Sequence, residues 1–147
     1  MIQKITPPPE QNFTWLLYGC VDSSQMKNGP RMLHALKRSL QEANIDTYGG
    51  LQYQFTEGGE GVTAVEIVGA SCADVHTWPE CGAAVVRCFA CGDKEAQVRQ
   101  FAQNIIRRLQ PTEVYELPPQ VLFIEKPMSV PQSWIKIAVP APQSAVG

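Results

Sequence analysis

The chain has 147 residues, 44% of them hydrophobic and 18% charged, and its 12 basic and 14 acidic side chains leave a formal net charge of −2. That length fits one domain over residues 1–147, burying roughly 68–70% of its unfolded surface, so a single ordinary core holds it without staples. The near balance of charge speaks against nucleic acid or an anionic membrane as partner. No apolar run approaches the roughly 18 residues of a membrane span, and the opening MIQKITPPPEQ lacks the apolar middle of a signal peptide, which reads as a cytoplasmic location.

The first element is preceded by Pro7, Pro8 and Pro9, which are stiff and poorly suited to a central strand, so residues 1–12 read as a peripheral arm. A strand is predicted over 13–20. A helix then begins near Asn28-Gly29-Pro30 and runs to about residue 44, with Leu33, Leu36 and Leu40 on one stripe and His34 off its centre, as a surface residue would be. Strand-like segments follow at 47–55, 62–68, 72–78 and 83–89. Short glycine-containing links join them, which favours hairpins over crossovers. The second helix, 93–109, places Val98, Phe101, Ala102, Ile105, Ile106 and Leu109 at helical spacing. It starts acidic at Asp93 and Glu95, ends basic at Arg107 and Arg108, and is stopped by Pro111. Strands at 113–117 and 121–125 complete the series. The proline-rich tail 127–147 reads as a second arm, in which Trp134, Ile135, Ile137 and Val139 offer an edge strand or a surface for a neighbour. This order predicts an α+β fold: a two-layer sandwich of a mostly antiparallel sheet with two helices on one face.

Five cysteines, Cys20, Cys72, Cys81, Cys88 and Cys91, are an odd number and point to reduced thiols rather than a disulfide framework. Cys88 and Cys91 have the CxxC spacing of a metal or redox pair. In an extended strand, residues three apart face opposite sides, so no metal is expected there.

The informative stretch is 61–92, GVTAVEIVGASCADVHTWPECGAAVVRCFACG. As bare pattern it is a pair of strands joined by a turn at Pro79-Glu80-Cys81-Gly82, in which a lone Ser or His is an ordinary strand residue. The block nevertheless resembles the processing and active-site region of bacterial-type S-adenosylmethionine decarboxylases. The resemblance is carried by Ser71 five residues before His76-Thr77-Trp78-Pro79-Glu80, by Phe89-Ala90-Cys91-Gly92, and by the entry Gly61-Val62-Thr63. Coarser similarity spans about 13–117. The block departs from the family pattern at Ala70 and Cys72, normally Glu and His, and at Asp74 and Arg87, normally a small hydroxyl residue and an acid.

The resemblance implies self-cleavage between Ala70 and Ser71, leaving a pyruvoyl cofactor at Ser71. The Ser hydroxyl attacks the preceding carbonyl, the resulting ester is eliminated, and dehydroalanine hydrolyses to a ketone able to form a Schiff base with an amine substrate. His76 takes the family's role of base in cleavage, and Thr63 that of the hydroxyl assisting the ester step. Cys91 falls at the proton-donor position. Glu80 would hold ribose hydroxyls, with Trp78 and Phe55 stacking on adenine or facing the sulfonium. The implied substrate is S-adenosylmethionine, its product feeding spermidine synthesis, and the implied assembly is a homodimer with sites near its interface. Two alternatives stay open: decarboxylation of another amino acid such as ornithine or arginine, and an unprocessed, non-catalytic family member that binds a nucleoside or a partner.

Overall fold

The structure, a computed structural model, describes residues 7–21 and 23–143. Residues 1–6 and 144–147 of the two expected arms lie outside the described residues. Among the described residues seven strands form one sheet: β1 (Glu10–Tyr18), β2 (Gly49–Gln54), β3 (Val62–Ile67), β4 (Cys72–Trp78), β5 (Ala83–Cys91), β6 (Glu113–Glu116) and β7 (Gln120–Leu122). Their order across the sheet is β2-β3-β4-β5-β1-β6, with β7 pairing the beginning of β1, and every neighbouring pair is antiparallel. The helices are the short α1 (Ser23–Met26), then α2 (Gly29–Glu42) and α3 (Glu95–Leu109). The two longer helices lie side by side on one face, as the hairpin-spaced strands and amphipathic helices predict.

Alternation along the strands produces the layers. Phe13, Trp15 and Leu17 of β1, Val62 and Ala64 of β3, Ala73 and Val75 of β4, and Ala84, Val86 and Cys88 of β5 all point toward the helices and are buried. Against them pack Met32, Leu36 and Leu40 of α2 and Val98, Phe101 and Ile105 of α3. The α2 stripe is rotated from the one expected: Met32 is in the core, and Leu33 is only partly buried at its rim. Asn28 caps α2 by accepting from the Arg31 N–H at 3.0 Å, and Pro30 lies in the first turn, where no backbone donor is needed. Gln110, in the left-handed conformation at φ +48°, closes α3 just before Pro111. Buried Asn104 of α3 donates to the Ser39 carbonyl of α2 at 3.0 Å, and Arg108 grips Glu42 at 2.7 Å, which fixes the register between the helices.

Several strand ends shift by a few residues, β7 being Gln120–Leu122 where 121–125 was expected, and the two expected arms change most. Residues 10–12 belong to the sheet and not to an arm, because Glu10, Gln11 and Asn12 are paired on one side with 89–91 and on the other with 120–122. Residues 127–143 form no strand; Ile135, Ile137 and Val139 are exposed, and Trp134 leans on Phe123 with ring centroids 6.2 Å apart. Among the described residues no helix is long and apolar enough to cross a membrane.

Candidate active site

Ser71 sits on the tightest turn of the sheet. The β3–β4 hairpin closes with the Val68 N–H donating to the Ser71 carbonyl at 2.9 Å, leaving only Gly69 and Ala70 as the loop. Gly69 has φ +79°, the left-handed value that a glycine at the first central position of such a turn adopts without strain. The Ala70–Ser71 bond is therefore the last bond of an exposed two-residue turn. It opens on a cleft of about 380 Å³ whose lining includes Glu10, Tyr48, Ala70, Ser71, Cys91 and Val98. The Ser71 hydroxyl donates to Glu10 Oε2 at 3.3 Å. Cys91 stands directly opposite Glu10 in the β1–β5 register. Partial burial, then the carboxylates of Glu10 and Asp93, push the Cys91 thiol above its ordinary value, so it keeps its proton at neutral pH. Cys88, three residues earlier, points into the core, where burial pushes it up to about 12. Both thiols border the cleft, Cys88 from the buried side and Cys91 from the half-exposed one.

The HTWPE residues build a second cluster at the other end of β4. Thr63 and His76 are a cross-strand pair, and Thr63 Oγ1 lies 2.9 Å from His76 Nδ1. His76 Nε2 is 2.9 Å from Asp74 Oδ1, which also accepts from Arg87 Nε at 2.9 Å. A carboxylate only accepts, so neutral His76 carries its proton on Nε2 and leaves Nδ1 to accept from the Thr63 hydroxyl. Burial alone would raise the Asp74 carboxyl, but the His76 hydrogen bond and the Arg87 guanidinium outweigh it and hold the group below its ordinary value. Asp74 and Arg87, two of the departures from the family pattern, are thus one cross-strand ion pair that orients His76.

Around this pair lies a second cleft of about 380 Å³, lined by Phe55, Thr63, His76, Trp78 and Glu80 among others. Trp78 and Phe55 are 44% and 46% exposed, so neither ring is committed to the core. The Glu80 carboxylate packs against Gly59, where a Cβ would collide with it; Gly59, at φ +122°, lets the 56–61 loop close over the acid. Thr77 and Pro79 are the framework residues of the string: Pro79 is buried in the turn, and the Thr77 hydroxyl donates to the Met26 carbonyl at 2.7 Å and accepts from Val62 N–H at 2.9 Å.

Within one chain the two clusters do not meet. Five residues of extended strand separate Ser71 from His76, about 16 Å at the usual rise, so the cleavage role that the resemblance gives His76 cannot be played toward the Ser71 of its own chain. Glu10 was missed altogether. It sits among polar residues before the first clear alternation, and only the pairing of β1 with β5 reveals it. Among the described residues no three His, Cys, Asp or Glu side chains gather as a metal site would require.

A two-layer α+β fold with a serine on a hairpin tip and a Thr–His pair on the bare sheet face defines a narrow class of protein, and the comparisons agree. Residues 13–116 match the family model for S-adenosylmethionine decarboxylase. The S-adenosylmethionine decarboxylase proenzyme of Pyrobaculum aerophilum is 34% identical over 98 residues, covering 67% of this chain and 76% of the relative. That of Aquifex aeolicus is 32% identical over 98 residues, covering 67% and 70%. The crystal structure of the adenosylmethionine decarboxylase from Aquifex aeolicus superposes with a TM-score of 0.69 at 26% identity, covering 85% of this chain and 99% of the other. The chain belongs to the S-adenosylmethionine decarboxylase family.

Proposed function

We propose that the chain is a proenzyme that cuts itself between Ala70 and Ser71 and then decarboxylates S-adenosylmethionine in the cytoplasm, supplying an aminopropyl donor for spermidine synthesis. The observation that carries this reading is the position of the Ala70–Ser71 bond, on an exposed two-residue turn opening on a cleft that also holds Cys91. The surroundings of Ser71 suit a pyruvoyl group: the side chain is half-buried, borders open volume, and its closest polar partner is a side chain rather than the core. Once formed, that group supplies an electron sink for loss of carbon dioxide from a bound amino acid. Cys91, held as a thiol, is placed to deliver a proton to the carbon left behind. Trp78 and Phe55 offer aromatic faces to a purine or a sulfonium, and Glu80 offers a carboxylate to paired hydroxyls.

The separation of the clusters points to a homodimer in which the Thr63–His76 cluster of one copy faces Ser71 of the other. The bare face of the sheet supports this: Leu51, Tyr53, Phe55 and Ile67 are exposed on it, beside the ion pair of Asp74 and Arg87, and a cluster of exposed apolar side chains rimmed by charge marks an interaction surface.

Intact mass under denaturing conditions tests the reading. The wild type should give fragments 1–70 and 71–147, the larger one blocked to Edman degradation and reactive toward hydrazine, while Ser71→Ala stays one chain. Co-expressing Ser71→Ala with His76→Ala should restore cutting of the His76→Ala chain, because a mixed dimer pairs its intact Ser71 with an intact His76. A single wild-type chain that releases no carbon dioxide from S-adenosylmethionine, ornithine or arginine would leave the non-catalytic alternative.

A further inference from the structure

We infer that Glu10 is the catalytic base at the cleavage site, taking the proton of the Ser71 hydroxyl as the Ala70–Ser71 amide becomes an ester. The inference rests on the self-cleavage reading above and extends it to a residue on a different strand.

Three observations carry it. First, Ser71 Oγ already donates to Glu10 Oε2 at 3.3 Å, within reach of the tightening that a reacting geometry brings. Second, Glu10 is held rigidly: its backbone pairs with Cys91 on β5 and with Leu122 on β7, and the Pro9 carbonyl accepts from Gly92 N–H at 3.0 Å. A carboxylate on a strand paired from both sides is aimed better than one on a loop. Third, the chain's own imidazole at His76 is about 16 Å away along β4 and is engaged by Asp74 and Thr63. Within its own chain Glu10 is therefore the base beside Ser71 for the ester step, and the partner's His76, whose loss the mixed-dimer experiment reads, is left to the steps that follow it.

The step balances without any co-reactant. The Ser71 oxygen bonds to the Ala70 carbonyl carbon while the bond from that carbon to the Ser71 nitrogen breaks. The hydroxyl proton passes to Glu10 and from there to the departing nitrogen, which leaves as an amine. Elimination and hydrolysis then follow, consuming one water and releasing ammonia, and neither is assigned to Glu10. The same carboxylate faces Cys91, so after the cut it still neighbours the thiol that must hold a proton.

The test follows cutting of the full-length chain by denaturing mass spectrometry. Glu10→Gln keeps the shape of the side chain and removes its basicity. It should accumulate uncut protein, slowed on the order of 10²-fold or more, with an unchanged melting midpoint. Treated with hydroxylamine, which splits esters and spares amides, the uncut Glu10→Gln chain should stay whole, because its amide never rearranged. Glu10→Asp, which retains a carboxylate, should cut at an intermediate rate. The assignment is overturned if Glu10→Gln cuts at the wild-type rate, if hydroxylamine splits its precursor at residue 70, or if Glu10→Asp is no faster than Glu10→Gln. A wild type that never cuts would overturn the proposed function and Glu10 with it, whereas equal cutting by wild type and Glu10→Gln would overturn Glu10 alone.

Discussion

The two faces of the sheet are made by alternate residues of the same strands, yet they follow different rules. Along β4, Ala73, Val75 and Thr77 face the helices, while Cys72, Asp74, His76 and Trp78 face the other way. The helix-covered side is dry and close-packed, and its few polar groups are largely framework, such as Asn104 bonded to Ser39 and Thr77 bonded to Met26. The bare side mixes exposed aromatics with an ion pair and a histidine. The contrast teaches that a period of two can divide labour within one strand: one set of residues makes the fold, and the set between them is available for chemistry and association.

Substitutions on each face should divide in the same way. The largest effect belongs to the covered face, where Phe101→Ala should lower unfolding free energy by about 3–5 kcal/mol, read from denaturant titration; a loss under about 1 kcal/mol would mean that α3 is not docked as described. On the bare side, Glu80→Ala should leave stability nearly unchanged and weaken binding of S-adenosylmethionine by about 1.5–3 kcal/mol, read by calorimetry on the uncut Ser71→Ala chain. Equal binding would remove Glu80 from the site.

A smaller effect concerns acid. Asp74 titrates below its ordinary value in the folded chain, so its contribution to stability is present above the unfolded value of about 3.9 and is lost as pH falls through the folded one. The wild type should therefore shed an increment of stability below about pH 4 that Asp74→Asn does not show, and the two acid-unfolding curves should converge there. Curves that run parallel to the lowest pH would contradict the Asp74–Arg87 pairing. The smallest change in the stability of the isolated chain is expected for Ile67→Arg, within about 0.5 kcal/mol, although under the proposed homodimer sedimentation should find a dimeric wild type and a monomeric variant. A dimeric Ile67→Arg would show that the bare face is not the interface.

Much of the molecule was legible in the residues themselves. The strand expected over 72–78 is β4 to the residue, and the apolar spacing of Val98, Phe101, Ile105 and Leu109 marks the buried side of α3. Local patterns of this kind report which way a side chain faces. They do not report which strand lies alongside. Glu10 escaped notice because β1 begins with the polar run Glu10-Gln11-Asn12, which has no alternation of its own and becomes a strand only through partners about 80 and 110 positions away. Asp74 and Arg87 read as separate oddities until the β4–β5 register set them opposite each other. Distance along the strand also carried information that the motif concealed: five extended residues keep Ser71 and His76 of one chain apart.

The hairpin at Gly69 and Ala70 has a consequence for the protein's later life. Before the cut, β3 and β4 are joined by two residues, and folding pays almost no loop-closure entropy to pair them. If the proposed cut is made, residues 1–70 carry β1, β2, β3 and α2, residues 71–147 carry the other four strands and α3, and the β3–β4 and β1–β5 ladders become contacts between separate chains. The mature protein would then be an assembly with no covalent memory of how it formed. Its refolding from denaturant would be bimolecular and concentration-dependent, and a molecule once unfolded in dilute solution would have no ready way back. Its persistence would be governed by the rate at which the ladders open.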